Sequence, residues 1–300
     1  MQEAVLALDL GGTNTRVAKI DRAGNIIKRQ EASTPSGGSA DDVLGLIAKL
    51  ASDCGTDGVL AMGAAVPATF RRDGSVGKLP NLPMLDGINI STDLSGRLGI
   101  PVKVFNDATA ATEGEHWLGA SAGASNVIGI TLGTGVGGGL IFNGKVFFGP
   151  DGTAGEIGHM CVEPDGRPCP CGSHGCIEQY ASGTAIVRSA KERCLDVDSP
   201  YAVYELAENG NEIAADVFTE MGRYLGITLG SLVNALNPEV ITIGGGVAAA
   251  WDRFIDALQS EVRLRAFNEP IERVNIIRAK LGDDAGLLGS ASIVFGRDGA

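Results

Sequence analysis

The sequence has no excess of basic residues and no long hydrophobic run, and these two absences exclude large classes of function. It contains 24 lysines and arginines against 36 aspartates and glutamates, so its formal net charge is −12. A surface of this sign repels phosphate backbones, so we expect no nucleic-acid partner. No apolar run approaches the roughly 20 residues of a membrane-spanning helix, so we expect no membrane association. The opening MQEAVLALDLGG lacks the basic segment of a signal peptide, which predicts a cytoplasmic protein.

Histidines and cysteines are also few, yet they are concentrated in one stretch. The chain has three histidines and six cysteines, and HMCVEPDGRPCPCGSHGCIEQY, residues 159–180, holds two of the former and four of the latter. In a reducing compartment, clustered cysteines are more often metal ligands than disulfides. One imidazole and three thiolates would suit tetrahedral Zn²⁺ in a closed, structural site. This ligand set is His159, Cys169, Cys171 and Cys176.

Two alternatives exist for this cysteine-rich stretch. His174 lies inside it and competes with His159 as the fourth ligand. A redox-active cysteine cluster is the alternative function. We expect the remaining cysteines, Cys54, Cys161 and Cys194, to pack as small apolar residues.

Glycine is abundant, with 44 residues, and its turns form a pattern that occurs twice. The first copy is VLALDLGGTNTRVAKIDRAGNII from Val5, and the second is VIGITLGTGVGGGLIFNGKVFF from Val127. Each copy predicts a strand, a tight turn, a strand, a second turn and a strand. Gly11 in the first copy corresponds to Gly133 in the second. Alternating helices and strands follow each copy, so we predict two α/β domains of like topology with a cleft between them.

The periodicity also predicts individual elements and a domain division. The predicted helices cover 41–53, 92–98, 108–117, 184–194, 212–236 and 249–265, with a final helix at the C-terminus. A smaller N-terminal α/β domain is expected at 1–118 together with the C-terminal helix 287–300. The larger domain, 119–286, contains the cysteine-rich stretch.

The two glycine-threonine turns are suited to binding phosphate. Backbone N–H groups of a glycine turn can converge on phosphate oxygens because no Cβ blocks the approach. DLGGTNTR lacks the G-K-[ST] ending of a P-loop, and a strand rather than a helix follows GTGVGGG. Two matched turns, one preceded by Asp9, therefore indicate a nucleotide held between the two domains. An ordinary turn carboxylate is the alternative for Asp9.

A further carboxylate lies where VKVFNDA passes from a predicted strand into a predicted helix. Phosphoryl transfer to a hydroxyl group needs positioning, charge neutralisation and a carboxylate that accepts the hydroxyl proton. Asp107 fits this role, and its neighbour Asn106 offers donors and an acceptor to substrate hydroxyls. An N-cap of the following helix is the alternative for Asp107, and one side chain could serve both roles.

Six motifs occur in this order: DLGGTNTR, FNDATAA, GTGVGGG, AGEIGH, CPCGSHGCIEQYASG and ITIGGGV. Together they resemble the ROK (repressor, open reading frame, kinase) family of sugar kinases, over essentially the whole chain. The most specific pair is E-x-G-H with C-x-C-G-x-x-G-C-x-E, and the motifs are most similar to the bacterial glucokinase-like subgroup. The resemblance implies two actin-like (ribonuclease H-like) ATPase domains with a nucleotide and sugar cleft between them.

The resemblance also implies a reaction and its residues. It implies ATP-dependent phosphorylation of a hexose, with Asp107 as the general base. Hexose binding is implied for Asn81, Asn106, Asp107, Glu156, His159 and Glu178. Binding of ATP and Mg²⁺ is implied for Asp9, Gly11, Gly12, Thr13, Asn14, Gly133, Thr134, Gly135, Gly244, Gly245 and Gly246. The zinc ligands are implied to be His159, rather than His174, with Cys169, Cys171 and Cys176.

Two departures from the family pattern concern the acceptor. Val66-Pro67-Ala68 replaces the common Val-Pro-Gly, and Asn81-Leu82 is not followed by the tryptophan that relatives often have. Glucose is the predicted hexose, and N-acetylmannosamine, N-acetylglucosamine and fructose remain alternatives. A sugar-sensing repressor is the alternative from another class, but the first glycine hairpin starts at Ala4, where repressors usually have a helix-turn-helix segment. Since the family is usually dimeric or tetrameric, we expect a homodimer or homotetramer.

The glycine turns and the cysteine-rich stretch fall on different predicted elements. We therefore expect the turns at Gly11 and Gly133 to keep their shape when the cysteine-rich stretch is loosened.

Overall fold

The computed structural model describes residues 3–77 and 79–296. In this part of the chain the strands are β1 (Ala4–Leu10), β2 (Asn14–Asp21), β3 (Ile26–Ser33), β4 (Val59–Val66), β5 (Val102–Asn106), β6 (Val127–Leu132), β7 (Val136–Phe142), β8 (Lys145–Val146), β9 (Val240–Gly244) and β10 (Asn275–Arg278). The α-helices are α1 (Ala40–Cys54), α2 (Ile90–Leu98), α3 (Asp107–Leu118), α4 (Glu178–Ala181), α5 (Gly183–Glu192), α6 (Pro200–Glu208), α7 (Glu212–Leu236), α8 (Trp251–Arg265), α9 (Asn268–Arg273) and α10 (Ala285–Phe295). Of these described helices, none combines the length and the apolar content needed to cross a membrane.

The strands form two five-stranded sheets with the same order. The first sheet is β3-β2-β1-β4-β5, and the second, counted from its other edge, is β8-β7-β6-β9-β10. In the first sheet β1 and β2 are antiparallel, whereas β4 lies parallel to both β1 and β5. In the second sheet β9 lies parallel to both β6 and β10. The repeated strand-turn-strand pattern of the sequence is therefore confirmed as a repeated sheet topology.

The chain forms two compact units. Unit 1 comprises Met1–Ser125, Gly139–Gly155 and Lys280–Ala300, and unit 2 comprises Asn126–Gly138 and Glu156–Ala279. The predicted domain division at 118/119 and 286/287 stays a prediction. The ends of the predicted N-terminal domain, residues 1–2 and 297–300, and its residue 78 lie outside the described residues.

In unit 1, the central strand β1 is buried on both faces. Its alternate residues Leu6, Leu8 and Leu10 belong to a core cluster that includes residues of α1 and α2, such as Ile47 and Leu94. The intervening residues Val5 and Ala7 belong to a second cluster with Leu287, Ala291 and Phe295 of α10. A strand covered on both faces is a continuous apolar run, which explains why the sequence VLALDL is almost wholly hydrophobic.

In unit 2, α7 and α8 pack with their backbones close together. A Cβ added to Gly222 of α7 would lie 2.4 Å from the carbonyl oxygen of Phe254, and one on Gly226 would lie 2.6 Å from that of Leu258. These two glycines are four residues apart and therefore share one face of the helix. Larger residues at either position would force the two helices apart.

The predicted elements agree with the structure except in a few places. The helix predicted at 212–236 is α7, with the same bounds. The helix predicted at 249–265 is in fact a 3-10 turn, Gly246–Ala250, followed by α8. Helix α6 was missed, although Ser199 accepts a hydrogen bond from the backbone of Ala202 as its N-cap and Pro200 follows at its first position. Serine before proline is a recognised start signal for a helix.

A single buried carboxylate, that of Glu115 on α3, holds two loops of unit 1. Its Oε1 accepts hydrogen bonds from the backbone N–H groups of Lys280 at 2.9 Å and Leu281 at 2.7 Å. Its Oε2 accepts one from Ala120 at 2.7 Å. Glu115 is only 3% exposed, so these three N–H groups have little access to water as a substitute partner.

We expect Glu115→Ala to lower the free energy of unfolding by about 3 kcal/mol, because it removes the acceptor of several largely buried N–H groups. Glu115→Gln keeps one carbonyl oxygen and should lose less. Urea unfolding followed by circular dichroism measures both values. Glu212→Ala, at an exposed position on α7, is the control and should change stability by less than about 0.5 kcal/mol. A loss of that small size in Glu115→Ala would contradict the role given to this carboxylate.

Candidate active site

The junction of β5 and α3 in unit 1 carries the predicted pair Asn106 and Asp107. β5 ends at Asn106 and α3 begins at Asp107. The Asn106 Oδ1 accepts hydrogen bonds from the backbone N–H groups of Ala108 at 3.0 Å and Thr109 at 3.1 Å. Asn106 is therefore the N-cap of α3, and the alternative that Asp107 is the cap is wrong. The oxygen of Asn106 is used in capping and its Nδ2 donates one hydrogen bond to the Ala68 carbonyl at 3.5 Å, so one amide N–H remains for a substrate.

The Asp107 carboxylate is partly buried, and this burial raises its pKa above the usual range for aspartate. A hydrogen bond from the N–H of Ala108 to its Oδ1, 2.8 Å long, opposes part of this rise. A carboxylate with a raised pKa holds a proton more readily than an exposed one. This property suits a general base that accepts a proton from a hydroxyl group.

The first glycine turn, residues 11–14, joins β1 to β2. The N–H of Gly11 donates to the carbonyl of Asn14 at 2.9 Å, and the Thr34 hydroxyl donates to the Gly11 carbonyl at 2.8 Å. A Cβ on Gly12 would lie 3.0 Å from the Cβ of Asn81. The structure thus brings Asn81, predicted to bind hexose, against the turn predicted to bind phosphate.

Asp9, the penultimate residue of β1, is an acidic group with an unfavourable environment. Burial raises its pKa to about 6; Arg16 opposes this rise, and the negative charge of Asp107 adds to it. Arg16 faces Asp9 across the β1–β2 ladder, with its Nη1 3.5 Å from the Asp9 Oδ2. A partly buried carboxylate near a second carboxylate fits a hard divalent cation such as Mg²⁺, which prefers oxygen ligands.

In unit 2, the cysteine-rich stretch folds so that four ligand atoms meet. The ligand atoms of His159, Cys169, Cys171 and Cys176 all lie within 4.8 Å of one another. The Nδ1 of His159 is 3.7 Å from the Sγ of Cys169, and the sulfurs of Cys171 and Cys176 are 3.6 Å apart. The turn that aims them is closed by a hydrogen bond from Cys169 N–H to the Ser173 carbonyl at 2.8 Å.

This donor set fits Zn²⁺, which is bound tetrahedrally by thiolates and imidazole nitrogens. Burial, followed by the neighbouring thiols, raises the pKa of Cys176 to about 12, so this thiol needs a cation to become a thiolate. The backbone N–H of Ser173 lowers the pKa of Cys171. The group of ligands found among the described residues contains His159 and does not contain His174.

The other ring nitrogen of His159, Nε2, lies near Glu156, another residue that is predicted to bind hexose. The His159 Nε2 lies 3.9 Å from the Oε2 of Glu156, the residue that precedes the 3-10 turn Ile157–His159. Because Nδ1 faces the thiols, metal binding would fix the ring and leave Nε2 for a substrate. Glu156 and His159 therefore lie together, as expected of two residues with one ligand.

Glu178, the third predicted hexose residue of unit 2, contacts the second glycine turn. Its Oε2 accepts a hydrogen bond from the N–H of Val136 at 3.1 Å. It is the first residue of α4 and follows Cys176 by two positions. The cysteine-rich stretch therefore contacts the Gly133 turn through Glu178, and the expectation that this turn keeps its shape when the stretch is loosened stays a prediction. Sequence periodicity gave no signal for this contact, because it joins residues 42 positions apart.

A cavity of about 840 Å³ opens beside this turn, within unit 2. Its wall is mainly apolar, with aromatic rings from Tyr201 and Tyr204 of α6 and Phe218 of α7. Two residues of the predicted phosphate turn, Gly133 and Thr134, also line it. The sequence analysis did not predict the two tyrosines as site residues, because it did not predict α6. The serine and proline at the start of α6 are the signal that could have identified this helix. A cavity of this size and lining suits a nucleoside.

The glycine triplet 244–246 has three different environments. Gly244 ends β9, and Gly245 has a φ of 85° in the left-handed region that favours glycine. A Cβ on Gly245 would lie 2.4 Å from the Leu132 carbonyl oxygen. Gly246 alone of the three lines the cavity. The first two glycines therefore shape the turn that brings Gly246 to the cavity wall.

Other residues considered in the sequence have structural surroundings. His116 lies 3.2 Å from Glu113 and 3.0 Å from the Ala124 carbonyl oxygen, and the hydrogen bond to Glu113 raises its pKa. Cys54 is buried, as expected. Cys161 and Cys194 are exposed, so the expectation that they pack in the interior is wrong.

Comparison with known proteins agrees with this arrangement. The ROK family model matches residues 5–297. The glucokinase of Halalkalibacterium halodurans is 35% identical over 96% of this chain and 94% of its own length. The structure of a ROK hexokinase from Thermus thermophilus is 31% identical, with a TM-score of 0.86, over 98% of this chain and 99% of that one. A Streptomyces griseus ROK glucokinase in complex with glucose and AMPPNP is 33% identical, with a TM-score of 0.81, over 97% of this chain and 98% of that one.

These similarities extend over nearly the full length of each protein, and the two repeated sheets match the two actin-like domains of the ROK kinases. The predicted fold class is confirmed. This chain belongs to the ROK family.

Proposed function

We propose that this protein is an ATP-dependent hexose kinase that converts glucose to glucose 6-phosphate. The observation that carries this proposal is the partly buried Asp107 carboxylate, with its raised pKa, next to the cap of α3. The similar Streptomyces griseus protein, whose structure contains glucose and AMPPNP, supports glucose as the acceptor and ATP as the donor.

Asp107 acts as the general base. The hydroxyl oxygen of the hexose attacks the γ-phosphorus of ATP, the bond to the β-phosphate oxygen breaks, and ADP leaves. The hydroxyl proton passes to the Asp107 carboxylate, whose burial favours the protonated form. The Asn106 amide donates to a sugar hydroxyl while its oxygen remains committed to the helix cap.

We assign the binding of hexose hydroxyl groups to six residues. In unit 1 these are Asn81, Asn106 and Asp107. In unit 2 they are Glu156, His159 and Glu178. The His159–Glu156 arrangement supports this assignment, because a ring nitrogen and a carboxylate oxygen can contact neighbouring hydroxyl groups.

ATP binds to the remaining predicted residues. In unit 2 its nucleoside occupies the cavity, with the base against the rings of Tyr201 and Tyr204. Its phosphates bind Gly133, Thr134 and Gly135 in that unit. In unit 1 the phosphates bind Gly11, Gly12, Thr13 and Asn14. Asp9 holds Mg²⁺, which neutralises phosphate charge when bound.

The four-ligand cluster of unit 2 holds a structural Zn²⁺. The set supplies four ligands and leaves no open position, so the ion braces the loop and takes no part in the reaction. We further propose that the protein works in the cytoplasm, which supplies both ATP and reduced thiols.

The catalytic assignment is tested by ADP release with ATP and a hexose panel. We expect the wild type to use glucose faster than fructose, N-acetylmannosamine or N-acetylglucosamine. Asp107→Asn keeps the shape of the side chain but lowers its basicity, so kcat should fall about 100-fold or more. Calorimetry should show that the variant still binds glucose. Phosphorylation of glucose by Asp107→Asn at the wild-type rate would rule out Asp107 as the base.

The metal assignment is tested by elemental analysis, which should find about one Zn²⁺ per chain. Cys171→Ser and His159→Ala should each lower the zinc content and weaken glucose binding, because the metal bonds offset the entropy of ordering the loop. His174→Ala is the matched control and should keep its zinc. Loss of zinc in His174→Ala but not in His159→Ala would mean that the wrong histidine is assigned. Normal glucose binding by zinc-free Cys171→Ser would show that the metal-binding loop does not form part of the sugar site.

We propose that the protein is a homodimer or homotetramer. The family resemblance supports this, and so do two apolar side chains of unit 2, Leu264 and Phe267, which are 77% and 72% exposed. Light scattering at micromolar concentration should give two or four times the mass of the 30.8 kDa chain. The mass of a single chain would contradict this proposal.

A further inference from the structure

The contact between Glu178 and the second glycine turn, residues 133–136, points beyond hexose binding. The Glu178 Oε2 accepts a hydrogen bond from Val136 N–H at 3.1 Å. A Cβ on Gly135 would lie only 2.3 Å from the same oxygen. The carboxylate therefore occupies space that exists because residue 135 is glycine. It fixes an N–H group in the turn that the proposed function assigns to ATP phosphates.

The same segment of chain holds the turn at two further points. The Gly133 carbonyl accepts a hydrogen bond from Gly183 N–H at 2.8 Å, and the Thr134 carbonyl accepts one from the Thr184 hydroxyl at 2.8 Å. All three contacts come from residues 178–184, and the last two residues of this segment are the first two of α5. A glycine-rich turn has many conformations when free, so its shape depends on such external contacts.

Helix α4 also touches the cysteine cluster. The N–H of Gln179 donates to the Cys176 carbonyl at 2.9 Å, and its side-chain Nε2 lies 3.8 Å from the Cys169 Sγ. Two consecutive residues thus face different sites: Gln179 contacts the cluster, and Glu178 contacts the turn. Glu178 follows Cys176, the last of the predicted metal ligands, by two residues, so the path of the chain out of the cluster determines where Glu178 lies.

We propose that Glu178 is a positioning residue for the phosphoryl donor, which holds the turn at 133–136 in the shape that binds the ATP phosphates. This role rests on the proposed kinase function and is additional to the hexose contact of the same side chain. A residue that bound hexose alone would not influence nucleotide binding when no hexose is present.

Charge and positioning act in opposite directions at this residue. A carboxylate near phosphate oxygens repels them, so its removal alone would strengthen nucleotide binding. The loss of the hydrogen bond to Val136 would weaken it. Two neutral replacements separate these effects: Glu178→Gln keeps an oxygen that can accept from Val136 N–H, whereas Glu178→Ala does not.

The experiment measures the dissociation constant of Mg²⁺–AMPPNP by calorimetry, in the absence of hexose. We expect Glu178→Ala to bind about fivefold more weakly than Glu178→Gln, the size expected for one hydrogen bond between neutral groups. Hydrogen exchange of the ligand-free proteins should show faster exchange at Val136 in Glu178→Ala than in Glu178→Gln. The matched control is the pair Glu163→Gln and Glu163→Ala. In the wild type, the Glu163 carboxylate accepts a hydrogen bond from the Tyr224 hydroxyl. This pair should bind AMPPNP equally.

The outcomes separate this role from the proposed function. Equal AMPPNP affinities for the two neutral Glu178 variants, with an active wild type, overturn the positioning role alone. A wild-type protein that binds no AMPPNP and phosphorylates no hexose overturns the kinase assignment, and the role falls with it. Weaker binding by Glu178→Ala together with unchanged exchange at Val136 would also overturn the role, because the turn would then not depend on Glu178.

Discussion

Burial of the central strand of each sheet on both faces is the constraint on which the site depends. β1 and β6 are buried except at their penultimate residues, Asp9 and Thr131, which are partly exposed. The polar residues must lie at or beyond the strand ends, where Gly11 and Gly133 turn the chain. Parallel neighbours end at the same edge of a sheet, which places Asn106 at the end of β5 on the side where β1 ends. The duplicated topology therefore produces two turns of the same kind, each at the end of a buried strand.

The acidic groups of unit 1 give this arrangement an electrostatic cost. Asp9 and Asp107 are both partly buried, and the charge of Asp107 contributes to the raised pKa of Asp9. Arg16 offsets part of this cost, but it is also bound by Asp283 at 2.9 Å and lies 3.2 Å from Glu31. One guanidinium cannot neutralise three carboxylates. The surplus negative charge would favour the binding of a divalent cation or the uptake of a proton near this edge of the sheet.

The sequence was sufficient for features that depend on local pattern. The duplicated turns and the bounds of α7 follow from residue order and periodicity, whereas the choice of His159 as the fourth ligand came from the family resemblance. It was insufficient where a contact joins distant positions. Glu115 with Lys280, and Glu178 with Val136, are separated by 165 and 42 positions and repeat at no regular interval. The cap of α3 was assigned to Asp107 as an alternative because two adjacent residues could each cap; the backbone geometry selects Asn106.

The cysteine cluster has a structural consequence that goes beyond its own loop. A Zn²⁺ bound by these four ligands would have no open coordination position, so it would serve to hold the loop in shape. The chain leaves the cluster at Cys176 and enters α4 at Glu178, so only Ile177 lies between a residue of the cluster and the carboxylate that contacts Val136. Glu156 and His159 belong to the same loop as the cluster. The residues assigned to hexose and the turn assigned to phosphate therefore both contact, or belong to, this one segment of unit 2.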